Sequence, residues 1–342
     1  MGRLALHTFV KRLFDPSQCS PPRLHAQSTR PSSLVLAART RLPLQYPPQT
    51  TQQEPGLTTH DDALFLPEAL RFRPREALVD IGANLTHESF ARDLDAVLTR
   101  AHAANVTTMI VTGTDVAHAE QAIELAARYP GLYATAGVHP HDASGWSTDV
   151  QRRLTELYRR PGVVAVGECG LDFNRNFSTP AEQEKAFEAQ LALAAESGLP
   201  LFLHERDAGT RMQEILKAWR DDIPPAVIHC FTGEASTLYG YLDLDLHIGL
   251  TGWICDERRG HHLRPLVKEI PLNRMMIETD CPYLLPRNLP AKLKGRRHEP
   301  ALLPWIATEI ARWGEVSEET LARETTRTAL RFFNIDTAVK ET

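Results

Sequence analysis

Five short stretches carry side chains able to do chemistry together. "GVHPHD" holds His139 and His141, "VVAVGECGLDF" holds Glu168, "FLHERD" holds His204, Glu205, Arg206 and Asp207, "VIHCFTG" holds His229, and "IETDCP" holds Asp280. Each follows or ends an apolar run of strand length, so a β-strand would deliver each polar group to its end. Imidazole and carboxylate together are the ligand set of a hydrolytic divalent-metal site. An ion held by Glu168, His204, His229 and Asp280 would lower the pKa of a bound water and polarise an ester or phosphoryl oxygen. Glu168 is placed to bridge if two ions bind, and Asp280 is the natural general base. Taken singly, each residue has a plainer reading. A strand-end histidine is often a satisfied rim residue, Asp280 before Cys281-Pro282 would start a turn, and Glu168 would pair with Arg206. All of these would have to hold at once on one face. A carboxylate at the end of an apolar strand is costly without a compensating charge. The metal reading is the stronger one.

The elements that must position these groups follow from the apolar pattern. Strands are expected at 77–82, 107–113, 132–138, 163–168, 200–205, 226–231, 246–252 and 275–280. Most of the intervals have room for a helix. "TPAEQEKAFEAQLALAAESG" is one: Thr179 caps it, Pro180 sits in its first turn, Gly198 closes it, and Phe187, Leu191 and Ala194 or Ala195 share a face. Eight such repeats predict a TIM barrel, an α/β fold whose enzymes build their sites at the C-terminal strand ends. An open doubly wound sheet is the alternative, but no GxGxxG follows the first strand. Residues 300–333 add two amphipathic helices that would close the outside of the barrel.

Composition sets the frame. The 342 residues are 24% charged and 42% hydrophobic, the balance of a globular protein, with net charge −5. No apolar run reaches the roughly 18 residues of a membrane span. Five cysteines (Cys19, Cys169, Cys230, Cys255 and Cys281), with no CxxC pair, argue against a disulfide framework and for a reducing compartment. Residues 1–76 differ from the rest. Arg3, Lys11, Arg12, Arg23, Arg30, Arg39 and Arg41 stand against Asp15 alone in the first 43, and a proline- and glutamine-rich run follows. We expect a disordered extension over 1–76, the barrel over 77–336 and a short tail over 337–342. The extension resembles a mitochondrial presequence in composition; a dispensable tail is the competing reading, and the cytoplasm is the expected location without a presequence.

"GVHPHD", "VGECGLDFNRNFSTPAEQEKAF", "HERDA", "HCFTG", "GLTGWICDERRG", "IETDCPYLLPR" and "RRHEP", in this order from about Val79 to Asn334, resemble the TatD family of metal-dependent nucleases. The resemblance implies a metal-dependent amidohydrolase-type barrel. It also implies hydrolysis of nucleic-acid phosphodiesters, in the nearest members a magnesium-dependent 3′→5′ exonuclease on single-stranded DNA or RNA. The family's metal ligands fall on Glu168, His204, His229 and Asp280. The HxH pair that opens much of the wider family is replaced by Gly82 and Asn84 in "DIGANLT". That loss favours Mg²⁺ or Mn²⁺ over Zn²⁺, as one or two ions. His139 is a further ligand or phosphate contact.

A phosphodiester substrate needs cations for its oxygens. Arg206 follows a ligand directly, Arg258 and Arg259 lie after strand seven, and Arg287, Lys292, Lys294, Arg296 and Arg297 form an acid-free loop after strand eight. These suit single-strand backbone contact, and Trp253 is the aromatic best placed to stack a base, ahead of Phe173 and Phe231. The partner expected is single-stranded DNA or RNA, with no membrane, bound by a monomer. A small-molecule hydrolase (lactonase or deaminase) on the same barrel and a non-catalytic barrel are the other readings.

Overall fold

The computed structural model describes residues 66–335. Eight parallel strands run in the order β1-β2-β3-β4-β5-β6-β7-β8. They are β1 Leu78–Ala83, β2 Val106–Val111, β3 Leu132–Ala136, β4 Val163–Asp172, β5 Leu201–Arg206, β6 Ala226–Ile228, β7 His247–Leu250 and β8 Met275–Ile277. A parallel bridge between Ala83 and Cys281 joins the last strand's exit to the first strand. There the amide of Asn84 donates to the Cys281 carbonyl at 2.9 Å, and that of Asp280 to the Gly82 carbonyl at 2.8 Å. The barrel is closed, as the strand repeat predicts.

The helices α1 Leu94–Ala103, α2 Val116–Arg128, α3 Thr148–Leu157, α4 Pro180–Ser197, α5 Gly209–Trp219, α6 Ala235–Asp243, α7 Leu303–Trp313 and α8 Glu318–Phe332 surround it. Helix α4 starts with a reciprocal capping box between Thr179 and Glu182 and stops at Gly198, whose φ of 74° suits glycine. Inside the barrel, Val79, Ile81, Ile110, Val164, Phe202, Val227 and Met276 make one core, which Phe332 and Phe333 at the end of α8 join. A larger cluster fills the space between strands and helices. With both faces of every strand covered, the strands read as continuous apolar runs.

The largest departures from the expected strand ends fall at the site. Strand β4 runs on to Asp172 instead of ending at Glu168, while β6 and β8 stop short, leaving His229 and Asp280 just beyond their ends. The expected extension is ordered over its last eleven residues: Leu70 is buried, Phe72 meets Trp305 at 5.8 Å, and Arg73 donates to the carbonyls of His102 and Ala103. Composition averages away such isolated apolar anchors. The remaining calls on the extension, and the tail, lie outside the described residues.

Candidate metal centre

Strand β4 presents alternate side chains to one face, so Glu168 and Asp172 point to the barrel mouth with Gly170 between them. The register sets Gly170 opposite His204 on β5. His204 therefore stands between the two carboxylates, its Nδ1 2.9 Å from Glu168 Oε1 and its Nε2 3.4 Å from Asp172 Oδ2. His229, just past β6, brings its Nε2 to 2.8 Å from the same Glu168 oxygen, and His139, past β3, brings its Nε2 to 3.4 Å. Three imidazoles thus converge on one buried carboxylate oxygen. The ligand atoms of His139, Glu168 and His204 lie within 4.8 Å of one another, the compactness a metal ion requires. Asp280 closes the far side, its Oδ1 accepting a hydrogen bond from the Asn84 amide at 2.9 Å.

The electrostatics of this cluster suit a cation. Burial opposes charge on Glu168, but His229 and His139 hold its carboxyl well below the usual range. Burial likewise opposes charge on His229, yet Glu168 and Glu278 raise it well above the ordinary histidine value. His204 is also raised against its burial, by Asp172 and Glu168. His139 is lowered, burial outweighing Glu168. Asp280 is pushed up to about 7, by burial first and by the nearby carboxylates Glu168 and Glu278, with His229 opposing. A site that draws protons onto two of its imidazoles draws a divalent ion to their nitrogens by the same field. The donor set of nitrogen and carboxylate oxygen fits such an ion.

Several supporting residues escaped the sequence reading. Asp172 accepts from His141 Nε2 at 2.9 Å as well as facing His204. Its signal was available, since the period-two spacing from Glu168 puts both acids on one face. Two buried glutamines of α4 fix the strand exits. Gln183 bonds both the amide and carbonyl of Asp172, and Gln190 bonds both the amide and carbonyl of Val138, next to His139. Glu278 is fully buried, accepts from the Cys230 amide at 2.5 Å, and sits 3.3 Å from His229 Nδ1. A carboxylate on the far nitrogen of a ligating histidine fixes the tautomer that turns Nε2 inward. Glu278 owes its place to two glycines: a Cβ on Gly82 would stand 2.2 Å from its Oε2, and one on Gly249 2.6 Å from its Oε1. Gly82, which stands in the sequence where the resemblance would place the first histidine of an HxH pair, here makes room for a carboxylate. Asp80 accepts from the Thr279 amide and hydroxyl, tying β1 to the residue before Asp280. Glu205, unassigned from sequence, accepts from the Ala208 amide and the Tyr241 hydroxyl and so anchors the start of α5.

The mouth is a cavity of about 670 Å³ that takes in the whole metal cluster and, of the expected substrate contacts, Arg206 and Trp253. Arg175 and Arg259 line it too. The guanidiniums of Arg206 and Arg175 have no ion-pair partner among the described residues. Arg259 lies over the Trp253 ring at 4.2 Å and pairs with Asp256 at 2.9 Å. The other expected cations stand elsewhere. Arg258 lies 3.5 Å from Asp256, and Arg287 pairs with Glu257 at 2.9 Å. Arg297 is held by Asp93 and the Ser89 carbonyl, stapling the loop before α7 to the turn before α1. Glu257 and Asp93 lie far from Arg287 and Arg297 in the chain, which is why the loop after β8 reads as free positive charge in sequence. Lys294 and Arg296 are exposed outside the cavity. The four described cysteines are free thiols.

A closed parallel barrel with histidines and carboxylates gathered at its C-terminal mouth defines a TIM-barrel metal-dependent hydrolase. Residues 79–334 match the family described as TatD related DNase, and the chain belongs to that family. The 3′-5′ ssDNA/RNA exonuclease TatD of Klebsiella pneumoniae (strain 342) is 53% identical over 259 residues, covering 76% of this chain and 98% of the relative. The protein of the same name from Salmonella typhimurium is 51% identical over 258 residues, covering 75% and 99%. Among solved structures, the TatD homologue YJJV from Escherichia coli k12 superposes with a TM-score of 0.70 at 26% identity, covering 78% of this chain and all of that one. A TatD family hydrolase from Entamoeba histolytica gives 0.69 at 26% identity, covering 75% and 98%.

Proposed function

We propose that this protein is a metal-dependent phosphodiesterase that removes nucleotides from the 3′ end of single-stranded DNA or RNA, as its relatives are named for doing. The observation that carries the reading is the convergence of His139, His204 and His229 on Glu168 Oε1 beside the guanidiniums of Arg206 and Arg175, neither of which has an ion-pair partner among the described residues. Glu168, His204, His229 and Asp280 would hold the ion, with His139 as a further ligand; when bound, it supplies Lewis acidity and a more acidic water. Mg²⁺ or Mn²⁺ is the proposed metal, and the third imidazole favours Mn²⁺ of the two.

The chain's own residues do the rest. Arg206 and Arg175 bind the phosphate oxygens and stabilise the charge that grows on them as water attacks. Asp280 takes the proton from the attacking water. Asn84 donates to its Oδ1 and fixes the orientation of the carboxylate. Asp172 and Glu278 keep His204 and His229 turned inward. The proposal extends to a monomer in the cytoplasm, a reducing compartment in which the four described cysteines would stay free thiols. No described helix is long and apolar enough to cross a membrane.

The test uses metal-stripped protein, 3′- and 5′-labelled single-stranded oligonucleotides and added Mg²⁺ or Mn²⁺. Release of the 3′ label, restored by metal and absent in Asp280→Asn, supports the proposal. Failure of every divalent ion to restore cleavage, or equal cutting by the variant, overturns it.

A further inference from the structure

Two large aromatic side chains stand exposed at the mouth, on opposite sides of it. Phe177 is 67% exposed and Tyr283 53%; the third such residue among those described, Tyr239, is on the outer helix α6. Phe177 follows β4 and Tyr283 follows β8, and four strands of an eight-stranded barrel separate diametrically opposed points of the rim. Each ring rests edgewise on a histidine that lines the cavity: Phe177 on His141 at 4.8 Å, Tyr283 on His87 at 5.7 Å. Their exposure leaves much of each ring open to a ligand.

Both rings are mounted on rigid backbone. In the Phe177 loop, the amides of Asn174 and Arg175 donate to Asp172, the Asn176 side chain donates to the Phe173 carbonyl, and Ser178 Oγ donates to the His141 carbonyl. The Tyr283 amide donates to the Asp280 carbonyl at 3.0 Å, and the fully buried His298 donates through Nδ1 to the Tyr283 carbonyl at 2.9 Å. Asp172, which faces His204, and Asp280 thus tie both pedestals to the metal centre. A mobile loop tip would lose the entropy of ordering on binding, whereas these rings are already in place. Trp253, the aromatic expected from sequence to stack a base, has a face covered by Arg259 and its indole N–H donated to the Arg259 carbonyl.

We propose that Phe177 and Tyr283 form a two-point stacking clamp that grips the unpaired bases on either side of the scissile phosphate. This deepens the nuclease reading above and rests on it. Stacking takes any base, because every base has a π-face, but a base inside a duplex is already stacked and paired and cannot reach either ring. The clamp therefore selects single strands without selecting sequence, while Arg206 and Arg175 hold the phosphate between the rings.

The experiment compares the full chain with Phe177→Ala and Tyr283→Ala on single-stranded DNA in Mn²⁺, with natural bases or with abasic sites at the two 3′-terminal positions. Each variant should raise KM for natural DNA by about 5- to 150-fold. Phe177→Trp and Tyr283→Phe should restore it. Abasic sites at both positions should cost the wild type about the product of the two single-variant factors, and the Phe177→Ala, Tyr283→Ala double variant almost nothing more, since the contacts are already gone. If the losses multiply instead, or either alanine variant keeps a normal KM, the clamp is wrong while the nuclease reading stands. If the wild type cleaves no oligonucleotide with any divalent ion, both fall.

Discussion

Replacing Asp280 by asparagine should remove about one proton from those released when a divalent ion binds near pH 6. Burial and the carboxylates Glu168 and Glu278 raise this carboxyl from its ordinary 3.8 to about 7. At about 1.4 kcal/mol per pH unit, ionising it in the metal-free site costs at most about 4 kcal/mol. An ion bound at Asp280 must drive that ionisation. From this group alone, affinity should be level above about pH 8 and weaken roughly tenfold per unit as pH falls below 7. His229 and His204 are both raised as well, so protons displaced from them by the ion would steepen the fall. Calorimetric titration of Mn²⁺ in buffers of different ionisation heat counts the protons directly. The wild type should release nearly one more proton than Asp280→Asn at about pH 6, and no more than the variant at about pH 9. Equal counts at the lower pH would mean that Asp280 is already ionised or does not touch the ion, and the base assignment would go with it.

Gln190→Ala leaves the amide and carbonyl of Val138 buried without their partner, and should cost about 2–4 kcal/mol in urea unfolding. A cost below about 1 kcal/mol would show that water takes over both bonds. Gly82→Ala puts a methyl group onto the Glu278 carboxylate; metal affinity should drop at least about tenfold, the usual result of losing a histidine's outer partner, and an unchanged Mn²⁺ titration would rule that support out. Arg297→Ala should destabilise the fold by about 1–2 kcal/mol while the salt dependence of oligonucleotide binding stays as in the wild type, because its charge is held by Asp93. Arg206→Ala should reverse that pattern, lowering the salt slope by about one at little cost in stability. Burial holds His247 down to about 4 against an ordinary 6.5. The unfolded chain therefore binds more protons between those values, and stability from this group is lost as pH falls from 6.5 towards 4. His247→Gln should flatten the acid limb by about 1.4 kcal/mol per pH unit in denaturant titrations at pH 6.5 and pH 5, and an unaltered limb would refute the assignment.

Much of this protein is local in origin. Each of the eight strands is an apolar run covered on both faces, so its pattern is visible without knowing its neighbours. Their parallel order follows from helices that must cross between them. The caps of α4 are equally local, since Thr179, Pro180, Glu182 and Gly198 act within a turn of themselves. Glu168, His204, His229 and Asp280 stood out because polar groups at the exits of apolar strands are costly, and the fold then brought two of the histidines, with His139, around one oxygen of Glu168.

What the chain's order of residues could not decide was where long-range pairing spends the charges and leaves the rings. Arg287 and Arg297 read as free cations until folding brings Glu257 and Asp93 to them from 30 and 204 positions away. Glu278 reads as one more strand residue until Gly82 and Gly249, on two other strands, open a notch for it. Phe177 and Tyr283 read as two unremarked aromatics, and Trp253 as the better stacking platform, until the closed barrel sets the first two on opposite sides of one rim and lays Arg259 over the third. Periodicity reports which face a residue takes within its own element. Which neighbour it meets there depends on barrel closure, and only the tertiary structure supplies that.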